Sequence, residues 1–326
     1  SLIVNFSNIT FVSEGPRFGE FVGNGPKQVF YHTLFMLMTG FIILKGTKGI
    51  ERAVKILMPV LGLLVLGIAG VSLSNYGHSE TFNFMFSFDF STITPHGVLE
   101  AVGHAFFTLS LGLGCIIVYG SYLPANISLV RAGFWIVLID TLIATFACFM
   151  MYPIIFGTKM EVSESSSILF TTLSAQFNSL PMGNIIAALF YLLVAFAALS
   201  STISLLEPLV SFIDETYNSG RKKATMIGTF SIWLLGVGAA LGNGASEFFT
   251  RIDLMSKLDY ITSNWTLPVG GMLIAIFAGF VLSKEAKAEE FTPDERNKFY
   301  PYWNFAVRYV SPTLVLLVIL YKLGFF

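Results

Sequence analysis

Asp140 is the only charged residue in the apolar run Phe134–Phe146. A carboxylate at the centre of a bilayer costs roughly 3 kcal/mol even on the lenient insertion scale, so such residues mark ion or substrate paths, or hydrogen-bond between helices. A second polar spot is Phe106–Gly114, where Thr108 and Ser110 accompany Gly112 and Gly114 inside another apolar segment. Glycine in a helix interior costs about 1 kcal/mol relative to alanine, so a helix is easily interrupted there. In lipid an interruption is tolerated only where the freed backbone faces protein or a wet cavity. A span broken near the midplane is one way to build a site for an ion and a substrate; close helix packing through small residues is the other reading. A third group is Ala197, Ser200, Ser201 and Ser204, which recur at helical spacing and share one face. Hydroxyl and carbonyl oxygens suit a hard cation such as sodium, although a stripe of small residues also serves tight packing. Glu207-Pro208 reads as a kinked, acidic spot held by a structural hydrogen bond. His104 shares a face with Thr108, but no second histidine or cysteine stands at ligand spacing. Asp259 and Glu215 lie at span ends, where a solvated cap serves equally well.

The elements that must position these residues are membrane helices. Of 326 residues, 54% are hydrophobic and 12% charged, with a mean hydropathy of +0.73; a soluble domain averages about 25% charged residues. The net charge of −1 suggests no nucleic-acid partner. Both cysteines, Cys115 and Cys148, fall inside apolar spans, so no extracellular disulfide framework is implied. Ser1–Val4 is no signal peptide, lacking a basic n-region, and the chain reads as starting inside a larger protein. The sequence predicts an all-α polytopic membrane protein, a single transmembrane domain of about eight helices after an outer loop at 1–27. The spans fall near 28–44, 55–73, 97–122 (broken), 130–156, 184–213, 224–241, 256–282 and 302–323. A long loop with room for a short helix is expected at 157–182, and Asn5 and Asn8 stand in weak matches to a glycosylation pattern. Lys45, Lys48, Arg52, Arg221, Lys222, Lys223, Lys284, Lys287 and Arg296 crowd alternate connectors. Positive charge marks the cytoplasmic side, which predicts an inner (plasma) membrane protein with both ends of this chain outside.

Four stretches resemble the neurotransmitter:sodium symporters, above all their bacterial amino-acid-transporting branch with the leucine-transporter fold: Gly103–Gly114, Tyr119–Tyr122, Lys48–Pro59 and Ala197–Thr202. The likeness covers essentially the whole chain, from the family's fourth helix to its eleventh. It therefore implies an inverted-repeat fold lacking its first three helices. By resemblance, Thr108 on the broken helix and Asp140 serve a first sodium site. Ala197 through its carbonyl, with the hydroxyls of Ser200 and Ser201, serves a second. Phe107, Thr108, Ser110, Leu113, Ser201 and Leu205 match substrate-lining positions, with Phe107 as an outer lid. Asp259 matches the acidic half of the outer gate, and Glu215 with Tyr122 the inner gate. Gly49 and Pro59 match a pattern at which a helix end unwinds to admit water.

The departures carry expectations of their own. His104 stands where chloride-dependent members usually have glutamine, Ala144 where they have serine, and Asp140 often replaces an asparagine. A fixed carboxylate beside the first sodium supplies the charge that chloride supplies elsewhere, so chloride-independent transport is expected. The implied function is symport of an amino acid, hydrophobic or aromatic, with two sodium ions, no organic cofactor and the lipid bilayer as surroundings. The family's first helix supplies backbone ligands to both ions. Half of each site is thus expected in the missing N-terminal helices, and this chain alone is expected not to transport. Two other classes remain at this stage: an inactive membrane scaffold fragment, and a membrane-embedded enzyme using His104, Asp140 or Glu207.

Overall fold

The computed structural model describes residues 21, 23–76, 79–87, 90, 93–124, 127–157, 183–242 and 245–323. The glycosylation matches at Asn5 and Asn8 and nearly all of the 157–182 loop lie outside them. Seven helices among the described residues are long and apolar enough to cross a membrane. The described residues group into two compact units.

The first unit takes in residues up to 88 and 142–254. Helix α1 (Gly25–Leu44) begins where the Asn24 side chain accepts from the Lys27 amide at 3.1 Å, with Pro26 in the first turn. It ends at Lys45, and α2 (Gly46–Tyr76) starts at once. The basic connector expected at 45–52 is therefore helical from Gly46 on; its Lys and Glu side chains are good helix formers, and Lys55 pairs with Glu51 one turn away at 2.5 Å. The stretch from Gly49 to Pro59 is wound into α2 in this structure. A short helix, α3 (Ser79–Phe86), stacks its phenylalanines on the end of α6 (Leu129–Gly157), with Phe82 and Phe149 ring centroids 5.1 Å apart. The long α7 (Gly183–Tyr217) packs on α2 and on α8 (Arg221–Gly242), and α8 packs along α1. Val65 and Ile68 of α2, Met150 and Ile154 of α6, and Ile186 and Phe190 of α7 form its core. A short α9 (Glu247–Ile252) closes against α8.

The second unit holds 89–141 and 255–326. It contains α4 (Pro95–Thr108), α5 (Cys115–Ser121), the first part of α6, and the C-terminal helices. These are α10 (Leu254–Ile261), α11 (Leu267–Ile276), the short α12 (Lys284–Glu289) and α13 (Pro293–Lys298), then α14 (Tyr300–Phe305) and α15 (Ser311–Lys322). Three π-helical turns join them: Thr262–Thr266 before α11, Phe277–Val281 after it, and Ala306–Val310 between α14 and α15. The connector expected at 284–298 is thus two helices. In it, Glu295 accepts from the Thr292 amide at 3.2 Å and from the Ser128 hydroxyl at the start of α6. Those bonds, the Ser128 hydroxyl first, hold its carboxyl below the usual range, helped by the Arg131 charge. Lys287 is buried, its ammonium donating to the Gly279 carbonyl inside a π turn and to Asn304, both at 3.1 Å. Burial pushes its pKa down, and Arg308 and Lys284 add to that.

Phe134 and Trp135 of α6 are 62% and 52% exposed, and Phe30, Leu37 and Phe41 of α1 are comparably bare. A monomer in water rarely shows contiguous apolar surface on this scale. In a bilayer it is the expected exterior, since a helix satisfies its own backbone and offers lipid only carbon.

Candidate ion and substrate site

The span that carries Thr108 and Ser110 is interrupted between α4 and α5. Its ending is a Schellman-type turn: Leu111 N–H donates to Phe106 O at 2.9 Å and Ser110 N–H to Phe107 O at 3.1 Å. Ser110 occupies the left-handed position of that turn at φ 51°, where glycine is usual. Gly112 and Gly114 follow at φ 90° and 79°, and α5 starts at Cys115. The unwound backbone lies directly on α11. A Cβ added to Gly112 would stand 2.3 Å from the Leu267 carbonyl oxygen, and one added to Gly270 would stand 2.3 Å from the Gly112 oxygen. Only glycine on both sides permits that approach. Among the described residues, the carbonyls of Thr108 through Leu113 accept no hydrogen bond. A row of such carbonyls away from water is costly unless something else takes their lone pairs.

Thr108 ends α4, and its hydroxyl donates to the Ala105 carbonyl at 3.3 Å. Its hydrogen is spent on the helix, so the oxygen presents lone pairs outward. Asp140 sits half-buried on α6 in the same unit, and its carboxylate has no hydrogen-bond or ion-pair partner among the described residues. Leu113 and Ser110 are half-buried within the break, Phe107 is 56% exposed, and Tyr122 caps the C-terminus of α5. Asp259 lies on α10 and accepts from Ser263 at 3.3 Å across the start of the first π turn. His104 is exposed on α4.

The first unit carries the other candidates, all on α7. Ser200 donates to the Ala197 carbonyl at 2.8 Å, Ser204 to the Ser200 carbonyl at 3.1 Å, and Thr202 to Ala198 at 2.7 Å. Ala197, Ser200 and Ser201 share one face of α7 by helical spacing, with Leu205 one turn further on and 51% exposed. A back-bonded hydroxyl such as that of Ser200 bends a helix slightly, and its oxygen is of the kind that suits a cation. Glu215 is exposed near the end of α7. Among the described residues, no three of His, Cys, Asp and Glu converge as metal ligands. The donors collected here are carbonyl and hydroxyl oxygens.

Glu207 is fully buried and bonded to the Ser211 hydroxyl and the Arg221 guanidinium, with Nη1 to Oε1 at 2.8 Å. Arg221 also donates through Nε and Nη2 to the Ile43 carbonyl of α1, at 3.1 and 3.0 Å. The acidic spot is therefore a three-helix tie. Arg221, read in the sequence only as part of a basic connector, is the residue that spacing arithmetic misses.

The Sodium:neurotransmitter symporter family matches the chain over residues 22–326. A Bacillus subtilis protein described as the uncharacterized sodium-dependent transporter YhdH is 30% identical over 328 residues, covering 98% of this chain and 72% of the relative. A Haemophilus influenzae protein, also described as a sodium-dependent transporter, is 32% identical over 93% of this chain and 67% of its own length. Among solved structures, MhsT in complex with L-phenylalanine superimposes with a TM-score of 0.86 at 33% identity, over 98% of this chain and 75% of that one.

Proposed function

Since the chain belongs to the sodium:neurotransmitter symporter family, we propose that it supplies part of the path by which an amino acid with a hydrophobic or aromatic side chain crosses the membrane together with sodium. The family is one of sodium-coupled transporters, not enzymes. The observation that carries the reading is the interrupted span, whose carbonyls from Thr108 to Leu113 are left without hydrogen bonds among the described residues. Unwound carbonyls at such a break are suited to a dehydrated cation. Thr108 and Asp140 serve one sodium in this reading, and Ala197, Ser200 and Ser201 a second. Phe107, Ser110, Leu113, Ser201 and Leu205 line the substrate, with Asp259, Tyr122 and Glu215 at the gates. The solved relative bound to L-phenylalanine supports an amino acid of this class. The Asp140 carboxylate supplies the fixed negative charge, which makes transport independent of chloride. The basic connectors, with Lys45, Lys222 and Lys223 among them, face the cytoplasm.

Two sodium ions entering down a 100 mV potential supply about 4.6 kcal/mol, on the order of a thousandfold accumulation. The test is uptake of labelled L-phenylalanine and L-leucine into proteoliposomes, using the longest reading frame that contains this chain. Uptake is expected to require sodium, to persist when gluconate replaces chloride, and to collapse in Thr108→Ala. Uptake indifferent to sodium overturns the proposal. A rise with external chloride at fixed sodium overturns the role given to Asp140.

A further inference from the structure

A groove of about 650 Å³ runs between α1 and α8, apart from the oxygens described above. Phe41, Leu37, Met226 and Phe230 wall it and are each 59–63% exposed. Two of its three threonines and the Trp233 indole turn their hydrogens inward: Thr33 donates to the Val29 carbonyl at 2.7 Å and accepts from Trp233 Nε1 at 2.9 Å, and Thr225 donates to the Arg221 carbonyl at 2.8 Å, while the hydroxyl of the third, Thr229, is buried in the floor. The floor is where the helices touch, Gly40 against Thr229, and a Cβ on Gly40 would meet the Thr229 hydroxyl oxygen at 3.0 Å. From Thr33 to Leu44 the groove follows α1 for about 16 Å at ~1.5 Å per residue. That is the depth of one leaflet, about half of a ~30 Å hydrocarbon core.

One end of the groove is basic. Lys45 holds its ammonium 4.3 Å from the centroid of the Phe41 ring. Lys222 and Lys223, exposed in the first turn of α8, stand one turn before Thr225 and Met226 on the groove wall. No carboxylate lines the groove. The neighbouring Glu207 is already neutralised by Arg221. A carbon-walled channel of leaflet depth, opening at one end among three ammonium groups, matches one chemistry. We infer that this groove binds an anionic glycerophospholipid, its acyl chain along α1 and α8 and its headgroup phosphate on Lys45, Lys222 and Lys223. The topology proposed above puts this end at the cytoplasmic leaflet, where anionic lipids concentrate. The groove itself does not depend on that orientation or on the transport reading.

The experiment is native mass spectrometry of the purified chain in detergent, titrated with dioleoylphosphatidylglycerol or dioleoylphosphatidylcholine. Retention of the glycerol lipid over the choline lipid is expected to be at least tenfold. Each basic group near a membrane surface contributes on the order of fivefold, so Lys45→Gln/Lys222→Gln/Lys223→Gln is expected to remove that preference. Met226→Trp, at an exposed wall position, is expected to fill the channel and lower retention of both lipids at unchanged helicity and elution volume. Equal retention of the two lipids by the unmodified chain, or full phosphatidylglycerol retention by the triple variant, overturns the inference. So does a dimer that Met226→Trp disrupts without changing lipid retention, which would assign the groove to a second copy.

Discussion

Replacing Arg221 by methionine isolates the energetic meaning of the corner where α1, α7 and α8 meet. Glu207 has no exposed surface, while the Arg221 side chain keeps 25% of its own. The two partners are therefore not equivalent. Removing Arg221 strands a carboxylate in the interior, which costs about 3–5 kcal/mol, and it strips the Ile43 carbonyl of two donors, adding about 1 kcal/mol. Removing the acid instead, as Glu207→Gln, leaves a guanidinium that reaches solvent and keeps its bonds to Ile43; about 1–2 kcal/mol is expected. Glu207→Met/Arg221→Met leaves no stranded charge, though the Ile43 carbonyl and the Ser211 hydroxyl lose these side-chain partners. It is expected within about 2 kcal/mol of the parent, hence well below the sum of the single changes. Reversible unfolding in mixed micelles with rising denaturing detergent, followed by far-ultraviolet circular dichroism, gives all four corners of the cycle. Arg221→Met costing less than about 1 kcal/mol, or a double variant whose loss equals the sum, would refute the reasoning.

Two further outcomes follow from the geometry. Gly112→Ala is expected to cost at least about 2 kcal/mol, because strain at positive φ adds to a Cβ lodged 2.3 Å from the Leu267 oxygen; Gly114→Ala, whose Cβ would meet nothing within 4 Å, should show only the strain, and equal losses in the same unfolding assay would argue against the α11 contact. Glu295 has its carboxyl held low by Ser128, Thr292 and Arg131, so its contribution is present above the ordinary glutamate range and disappears as pH falls through the depressed folded value. The stability difference between the parent and Glu295→Gln is therefore expected at neutral pH and to vanish in acid; a difference that does not shrink would contradict the assignment.

Much of the architecture could be read from local pattern. Long apolar runs mark membrane helices whatever their partners, and Gly112 and Gly114 beside two hydroxyls mark a weak point that needs no tertiary information. The structure interrupts the span there, between Thr108 and Cys115. The buried tie of Glu207 was legible only as an acid that must be satisfied. Its partner Arg221 is fourteen residues away, and the Ile43 carbonyl that the same guanidinium ties in is far more distant, separations that no periodicity links. The seat of the break on Gly270 and Leu267 was hidden for the same reason, since those residues read simply as part of another apolar span. The charged connectors at 45–52 and 284–298 interrupt the apolar runs, and charge alone does not tell helix from loop. Lysine and glutamate favour helix as readily as they favour water: residues 46–52 are the first turns of α2, and 284–298 forms two short helices of its own.

The π turn at Thr262–Thr266 changes how Glu247–Val281 must be drawn. Each such turn takes one more residue than a regular one, which advances everything after it by about 100° around the axis. Asp259 and Gly270 therefore belong to different phases of the same rod. A wheel that ignores the step would aim Gly270 and Gly271 away from Gly112. Excising one residue within 262–266 would let that turn close as a regular α-helical one and keep the glycine face under the unwound carbonyls, whereas regularising the turn with every residue kept would rotate that face away. The seat of the break is thus set by how one surplus residue is absorbed just before Leu267, as much as by the glycines that touch it.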